Sequence, residues 1–123
     1  MGCYVPAISA CISPISHIFT RFNGYNDSLE NNASSFCLEM QEVQYILENL
    51  GEKTLVLIDE LADNSSVAAS RPIAWSICEY LGTTNNVYVL LSTHNTILCS
   101  LEEYYPFIHT LHLQCLNKRN LYI

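Results

Sequence analysis

The heptapeptide Thr54-Leu55-Val56-Leu57-Ile58-Asp59-Glu60 constrains the fold more than any other stretch of this chain. Four consecutive large aliphatic residues run directly into two carboxylates. A continuous apolar run of this length is typical of a strand that is buried on both faces of a parallel sheet. The two acids would then lie at the carboxyl edge of the sheet, where open α/β sheets bind their ligands.

Adjacent carboxylates at the end of such a strand suit metal-assisted hydrolysis of a nucleotide. One of the pair, Asp59 and Glu60, would steady a Mg²⁺ ion, and the other would position and polarise a water molecule. The alternative is a buried strand whose acids simply enter a solvated loop. The heptapeptide alone does not decide between the two hypotheses.

Composition limits the class of protein. The chain has 123 residues, of which 50% are apolar and 14% are charged, so it is long enough for one small domain with a real core. A net charge of −7 argues against this domain gripping a nucleic-acid backbone itself. No apolar stretch reaches the roughly 18–20 residues that span a bilayer, so we expect no membrane partner. We also expect no signal peptide, because Pro6 and Pro14 interrupt the apolar N-terminal stretch.

Cysteines and sequons permit a different hypothesis, a secreted disulfide-rich domain. The six cysteines are Cys3, Cys11, Cys37, Cys78, Cys99 and Cys115. Asn-x-Ser sequons begin at Asn26, Asn32 and Asn64. However, the cysteines are scattered and most lie in apolar segments, where they behave as small buried hydrophobic residues. If the domain is not of this secreted kind, we expect all six cysteines to be free thiols.

The clearest helix is predicted over Ser34 to Leu50. Its apolar residues recur at helical spacing, at Phe36, Met40, Val43, Leu47 and Leu50. Ser34 or Ser35 can cap the start, and Glu39 and Glu42 favour the positive N-terminal end. Gly51 ends the helix.

The remaining elements alternate between strands and helices. A second helix is predicted after the loop that ends at Ser70, with Pro72 in its first turn and Gly82 as its stop. The predicted strands are Ile15–Phe22, Thr54–Glu60, Val87–Ser92 and Ile108–Leu116, and a short helix ends near Tyr105 before Pro106. This alternation predicts an α/β fold with a parallel sheet flanked by helices.

The chemistry-bearing residues converge on one edge of this sheet. His94 follows the strand that ends at Ser92, much as Asp59 and Glu60 end theirs. The predicted start of the first helix, with its small polar residues, is a ready anion site. These are parts of a phosphoryl-transfer site. What the chain lacks is the G-x-x-x-x-G-K-[ST] loop that cradles phosphates.

Six segments of the chain occur in the order of one known family and near its spacing. They are Gly2–Ala7, Ile18–Arg21, Ser34–Phe36 with Glu39, Met40 and Glu42, Leu57–Leu61, Cys78–Leu81, and Ser92–His94. In this order they resemble the MutS ATPase domain over about residues 1–115. The resemblance implies an ABC-type P-loop NTPase-like fold, used by DNA mismatch-repair and meiotic recombination clamps. ATP and Mg²⁺ are the implied cofactors, and the nucleus is the implied location.

The resemblance also implies how this chain relates to the complete protein. The family's phosphate loop lies upstream of the segment that matches Gly2–Ala7, so residues 1–123 would be a single partial ATPase domain, truncated on its N-terminal side. Contacts with double-stranded DNA would come from further domains upstream. Meiotic members form heterodimers, which makes a second MutS paralogue the expected partner.

Residue roles follow by matching position. Asp59 corresponds to the Walker B acid that supports Mg²⁺, through water, and Glu60 to the residue that orients the attacking water. His94 corresponds to the switch histidine that senses the γ-phosphate. Asn32, Ser34 and Ser35 match the signature motif, which completes the ATP site of the partner subunit.

Two departures from the family pattern matter. Repair members usually have Gly where Asn32 stands, whereas meiotic homologues tend to have Asn, so this position favours the meiotic branch. The family's Gly-Arg-Gly-Thr after the Walker B strand is replaced by Ala62-Asp63-Asn64-Ser65. That loop normally communicates across the dimer interface. Its divergence keeps an alternative open, a dimerisation module that has lost turnover.

Overall fold

A computed structural model describes residues 4–22, 32–62 and 67–112 of the chain. In chain order the elements are β1 (His17–Arg21), α1 (Asn32–Glu48), β2 (Thr54–Asp59), α2 (Val67–Thr83), β3 (Val87–Ser92), a 3₁₀ turn (Thr96–Ser100) and α3 (Leu101–Tyr104). The three strands form one sheet in the order β1-β2-β3, and both pairings are parallel. The predicted α/β fold with a parallel sheet flanked by helices is confirmed.

Both long helices cover the same face of the sheet. Thr54, Val56 and Ile58 alternate along β2 and are buried, with Val56 fully inaccessible. Residues of both helices belong to the same apolar cluster as β2. Its members are Val43 and Ile46 of α1, Ala74, Ile77 and Leu81 of α2, and Leu98 and Leu101 further along the chain. The core of the described residues therefore lies on one side of β2.

The prediction that β2 is buried on both faces is wrong for the described residues, and β3 is no more buried. Leu55 and Leu57 are only partly buried, and burial along β3 alternates between half-buried and exposed. Tyr88 and Leu90 of β3 remain 53% and 64% exposed on the second face. The reason is the placement of the helices, because α1 and α2 pack on one face and no described element packs on the other.

α1 begins earlier than predicted, at Asn32 rather than Ser34. Ser34 and Ser35 therefore lie inside its first turn and do not precede it as caps. Glu39 and Glu42 also lie well beyond that turn, so the predicted stabilisation of the N-terminal end by these acids is wrong. Their carboxylates face the sheet edge, as described below.

α2 differs from its prediction at both ends. It starts at Val67, which puts Pro72 beyond the first turn, where the missing N–H removes one helical hydrogen bond. Gly82 does not stop the helix, which continues to Thr83. A Cβ atom at Gly82 would lie 2.8 Å from Cδ1 of Ile108, so the glycine allows the C-terminal segment to pack closely on the helix.

The predicted last strand is wrong over its described part. Residues 108–112 form no strand, and residues 113–116 lie outside the described residues. Ile108 packs against the apolar core beside α2 instead of pairing with the sheet. In the described part of the chain, no helix is long and apolar enough to span a membrane.

Candidate functional site

The carboxyl ends of β2 and β3 meet as neighbouring parallel strands. Asp59 and Ser92 are register partners there, and the Ser92 hydroxyl donates a hydrogen bond to the Asp59 carboxylate. The Glu60 N–H donates to the Ser92 carbonyl over 3.0 Å. Asp59 is exposed and lies in a groove on the open face, which Phe22, Leu57 and Leu90 also line. Its carboxylate is thus held in place and still accessible.

The side chains of Glu60 and His94 contact each other at the same edge. Oε1 of Glu60 lies 3.1 Å from Nε2 of His94, and the two side chains are 28% and 89% exposed. A pair this exposed contributes at most about 1 kcal/mol to stability. The structure thus brings together two of the residues that the sequence singled out, in an arrangement with little structural purpose.

Arg21 is a residue of this edge that the sequence argument did not identify as functional. It ends β1 on the covered face, and its side chain is only 6% exposed. Its Nη1 donates to the carbonyl oxygens of Asp59, over 3.3 Å, and of Glu60, over 3.0 Å. A buried guanidinium therefore holds the backbone that carries the acid pair.

Glu39 of α1 completes this buried arrangement. Its Oε1 lies 3.4 Å from Nη2 of Arg21 and accepts a 2.7 Å hydrogen bond from the Ala62 N–H. Glu42, one turn later, places Oε2 3.6 Å from Nε of Arg21, but its side chain is 64% exposed. Glu39 therefore links α1 both to β1 and to the loop after β2.

A signal for Glu39 was present in the sequence. It follows Phe36 by three residues and precedes Val43 by four, which places it on the apolar stripe of α1. A carboxylate on a buried stripe needs a charged or hydrogen-bonding partner. Which partner it meets depends on the position of β1, and the helix pattern alone does not reveal that position.

The start of α1 lies away from the acid pair. The C-terminal end of α1 leads into β2, and Glu39 reaches the loop at the far end of β2, so the helix runs antiparallel to the strand. Asn32 lies about 10 Å from Glu39 along the helix axis, toward the N-terminus of α1, at the helical rise of about 1.5 Å per residue. The backbone of Asn32, Ser34 and Ser35 in the first turn therefore extends beyond the loop after β2.

Two side chains elsewhere have raised pKa values. Burial raises the pKa of the Cys78 thiol on α2 to about 11. The Tyr105 hydroxyl donates to the Glu79 carboxylate, and this hydrogen bond raises the pKa of Tyr105. Cys11, Cys37, Cys78 and Cys99 are free thiols, as predicted, whereas Cys3 and Cys115 lie outside the described residues.

Comparison with known proteins decides the family. The model of MutS domain V matches residues 1–123. This chain belongs to the MutS family. It is 40% identical over 112 residues to DNA mismatch repair protein MSH4 of Arabidopsis thaliana, covering 91% of this chain and 14% of that protein. It is 35% identical over 120 residues to MutS protein homolog 4 of Homo sapiens, covering 98% of this chain and 13% of that protein.

Residues of this MutS domain V chain fit a magnesium nucleotide in part. Mg²⁺ is usually held by one or two carboxylates together with waters and substrate phosphates. Asp59, exposed and hydrogen-bonded to Ser92, suits that limited role. Within residues 4–22, 32–62 and 67–112, no three His, Cys, Asp or Glu side chains gather into an all-protein metal site. The phosphates would therefore have to supply most of the coordination.

Proposed function

We propose that this chain is part of the ATPase domain of a MutS-family protein that couples ATP binding and hydrolysis to clamp movement on DNA. One observation carries the proposal. Asp59 and the Glu60–His94 pair stand together at the carboxyl edge of two neighbouring parallel strands. An acid pair with a histidine at such an edge suits phosphoryl transfer.

Each residue has a separate task in this proposal. Glu60 accepts a hydrogen bond from the attacking water and polarises it. His94, 3.1 Å from Glu60, orients that carboxylate and would sense the terminal phosphate. Asp59 would support a magnesium ion, since one of its oxygens accepts a hydrogen bond from the Ser92 hydroxyl and is fixed by it. The ion, when bound, neutralises the charge of the phosphates.

The complete protein would be larger than this chain, which spans 13–14% of the length of the two relatives. We propose that a phosphate-binding loop upstream supplies the donors that hold the β- and γ-phosphates. The open face of the sheet, where Tyr88 and Leu90 are exposed, would be covered by further chain. Contacts with double-stranded DNA would come from other domains, and the protein would act in the nucleus.

Asn32 favours a meiotic role over general repair. Asn32 stands where meiotic homologues of the family tend to have Asn and repair members usually have Gly. We therefore propose a meiotic recombination protein as the complete molecule.

A second MutS paralogue would complete the ATP site. The start of α1 offers free backbone N–H groups and the positive end of a helix dipole. Because α1 runs antiparallel to β2, this end projects past the loop that follows the acid pair. In our proposal Asn32, Ser34 and Ser35 therefore bind the phosphate held by the partner subunit.

The decisive experiment uses a version of the protein extended upstream to carry a phosphate-binding loop. Glu60→Gln should leave ATP binding largely intact and reduce hydrolysis by about 100-fold or more, the scale of a lost general base. Asp59→Asn should instead weaken the Mg²⁺ dependence. Glu52→Gln, an exposed carboxylate before β2, is the matched control and should behave like the unsubstituted protein. Hydrolysis at the unmodified rate by Glu60→Gln would overturn the proposed role.

The 123-residue chain itself should not bind ATP tightly. It contains no phosphate loop, and Asp59 with the start of α1 cannot replace the lost donors. Titration calorimetry with Mg-ATP should detect no micromolar binding to this chain. Binding at that level would show that residues 1–123 form a complete nucleotide site.

A second candidate is a dimerisation module that binds ATP without turnover. The loop after β2 favours it, because Ala62 adopts a φ of 62° where the family has a glycine. An extended version that binds ATP normally and hydrolyses none would support this candidate. In that case substitution of Glu60 would change neither binding nor turnover.

A further inference from the structure

Arg21 and Glu39 form a buried pair at the carboxyl edge of the sheet, next to the loop that carries Glu60. We propose that they are positioning residues, which hold the loop after β2 in the conformation that presents Glu60. This inference rests on the proposed ATPase function for its effect on catalysis. Its structural part concerns the loop alone and can be tested without ATP.

The loop needs to be held. Glu60 and Ala62 have φ values of 54° and 62°, and neither is a glycine. The left-handed conformation costs about 1–2 kcal/mol for each such residue. A loop with two of these residues on either side of the buried Leu61 would relax unless other groups fixed it.

Two buried side chains from different elements supply the hold. Arg21 of β1 donates hydrogen bonds to the carbonyl of Asp59, just before the first residue with positive φ, and to the carbonyl of Glu60, which is that residue. Glu39 of α1 bonds the N–H of Ala62 at its end. Both are charged, and hydrogen bonds from charged groups are shorter and stronger than neutral ones.

The choice of charged residues here is costly, which suggests a purpose beyond stability. The two side chains are only 6% and 2% exposed, and well-packed apolar residues would often be at least as stable as a buried ion pair. An apolar pair, however, could not bond the carbonyls of Asp59 and Glu60 or the N–H of Ala62. The charged pair fixes the backbone on both sides of Glu60.

The first test measures amide hydrogen exchange in the 123-residue chain. Arg21→Lys and Glu39→Gln should each speed exchange in residues 60–62 by about 10-fold or more, because local opening becomes easier. Exchange at Val56, in the middle of β2, should stay unchanged. Glu42→Gln is the matched control, since it removes a carboxylate from the same guanidinium but bonds no part of the loop.

The second test measures steady-state ATP hydrolysis by the extended protein. Arg21→Lys and Glu39→Gln should each lower kcat by about 10-fold, the scale of a misplaced catalytic group, and leave KM for ATP within about 2-fold. Glu42→Gln should leave both constants unchanged. A merely structural role would instead lower the amount of active enzyme and leave the turnover of the folded fraction intact.

Three results would separate the possibilities. Unchanged exchange at residues 60–62, or exchange that rises equally at Val56, would overturn the proposal. Faster exchange in the loop with an unchanged kcat would overturn its catalytic part. If the unsubstituted extended protein hydrolyses no ATP, the proposed function fails, and loop exchange alone decides whether Arg21 and Glu39 hold the loop.

Discussion

The two faces of the sheet carry different parts of the candidate site. On the covered face, Arg21 lies under α1 and bonds the backbone at the end of β2. On the open face, the Asp59 carboxylate is exposed beside Ser92. The same strand end is therefore fixed from one side and accessible from the other. A site that must hold its geometry and still admit a ligand needs both properties.

The Arg21–Glu39 and Glu60–His94 pairs at this edge differ in the same way. Arg21 and Glu39 are 6% and 2% exposed, whereas Glu60 and His94 are 28% and 89% exposed. Breaking a buried pair leaves an uncompensated charge in a low dielectric, but water replaces a lost partner at the surface. The buried Arg21–Glu39 pair is thus suited to fixing the backbone, whereas the exposed Glu60–His94 pair can rearrange around a ligand.

The largest expected effect is the loss of the buried pair. Arg21→Met should lower the free energy of unfolding by about 3–5 kcal/mol, because Glu39 stays buried without its partner. His94→Asn, the matched change in the exposed pair, should cost no more than about 1 kcal/mol. Urea unfolding of the 123-residue chain measures both values. Equal losses would contradict the distinction between the pairs.

Replacing a leucine by alanine should cost much more stability in the core than on the open face of the sheet, and this is the next largest expected difference. Leu81→Ala in α2, at a site only 2% exposed, should cost about 2–5 kcal/mol through lost burial and a cavity. Leu90→Ala on the open face, at a site 64% exposed, should change stability by no more than about 0.5 kcal/mol. A large loss at Leu90 would show that the open face is covered in solution.

Thiol reactivity tests burial without a substitution. Burial raises the pKa of Cys78 from its ordinary value of 9.0 to about 11, so its thiolate is roughly 100-fold scarcer at pH 8 than it would be in an exposed thiol. Cys99 is exposed. Alkylation at pH 8 followed by mass spectrometry should therefore label Cys99 about 100-fold faster than Cys78. Similar rates would contradict the packing of α2 on the sheet.

The smallest expected effect concerns strain at the opposite end of β2. Lys53 has a φ of 57° and an exposed side chain. Among the described residues, no buried ion pair holds it as Arg21 and Glu39 hold the loop after β2. Lys53→Gly should therefore stabilise the chain by about 0.5–1 kcal/mol in thermal unfolding. Glu52→Gly is the matched control and should not stabilise it, because Glu52 does not have a positive φ.

The sequence by itself determined the elements that depend on local pattern. The bounds of β3 and of the apolar run in β2 were predicted correctly, because a strand of this kind is marked by a run of neighbouring apolar residues in the sequence. The convergence of Asp59, Glu60 and His94 followed from a general rule, since parallel neighbours end at the same edge. The predicted roles of Pro72 and Gly82 were wrong. Pro72 lies beyond the first turn because α2 already begins at Val67, and Gly82 lies inside the helix, where Ile108 packs closely against it.

Only the tertiary structure decided which face of the sheet is covered and which partners the buried charges meet. Arg21 and Glu39 are 18 residues apart and their chain positions carry no sign of contact, yet the crossing of α1 over the end of β1 joins them. The same crossing brings Glu39 to the buried Ala62, whose N–H donates a hydrogen bond to the Glu39 carboxylate. Contacts of this kind depend on the relative placement of whole elements, which local periodicity does not contain.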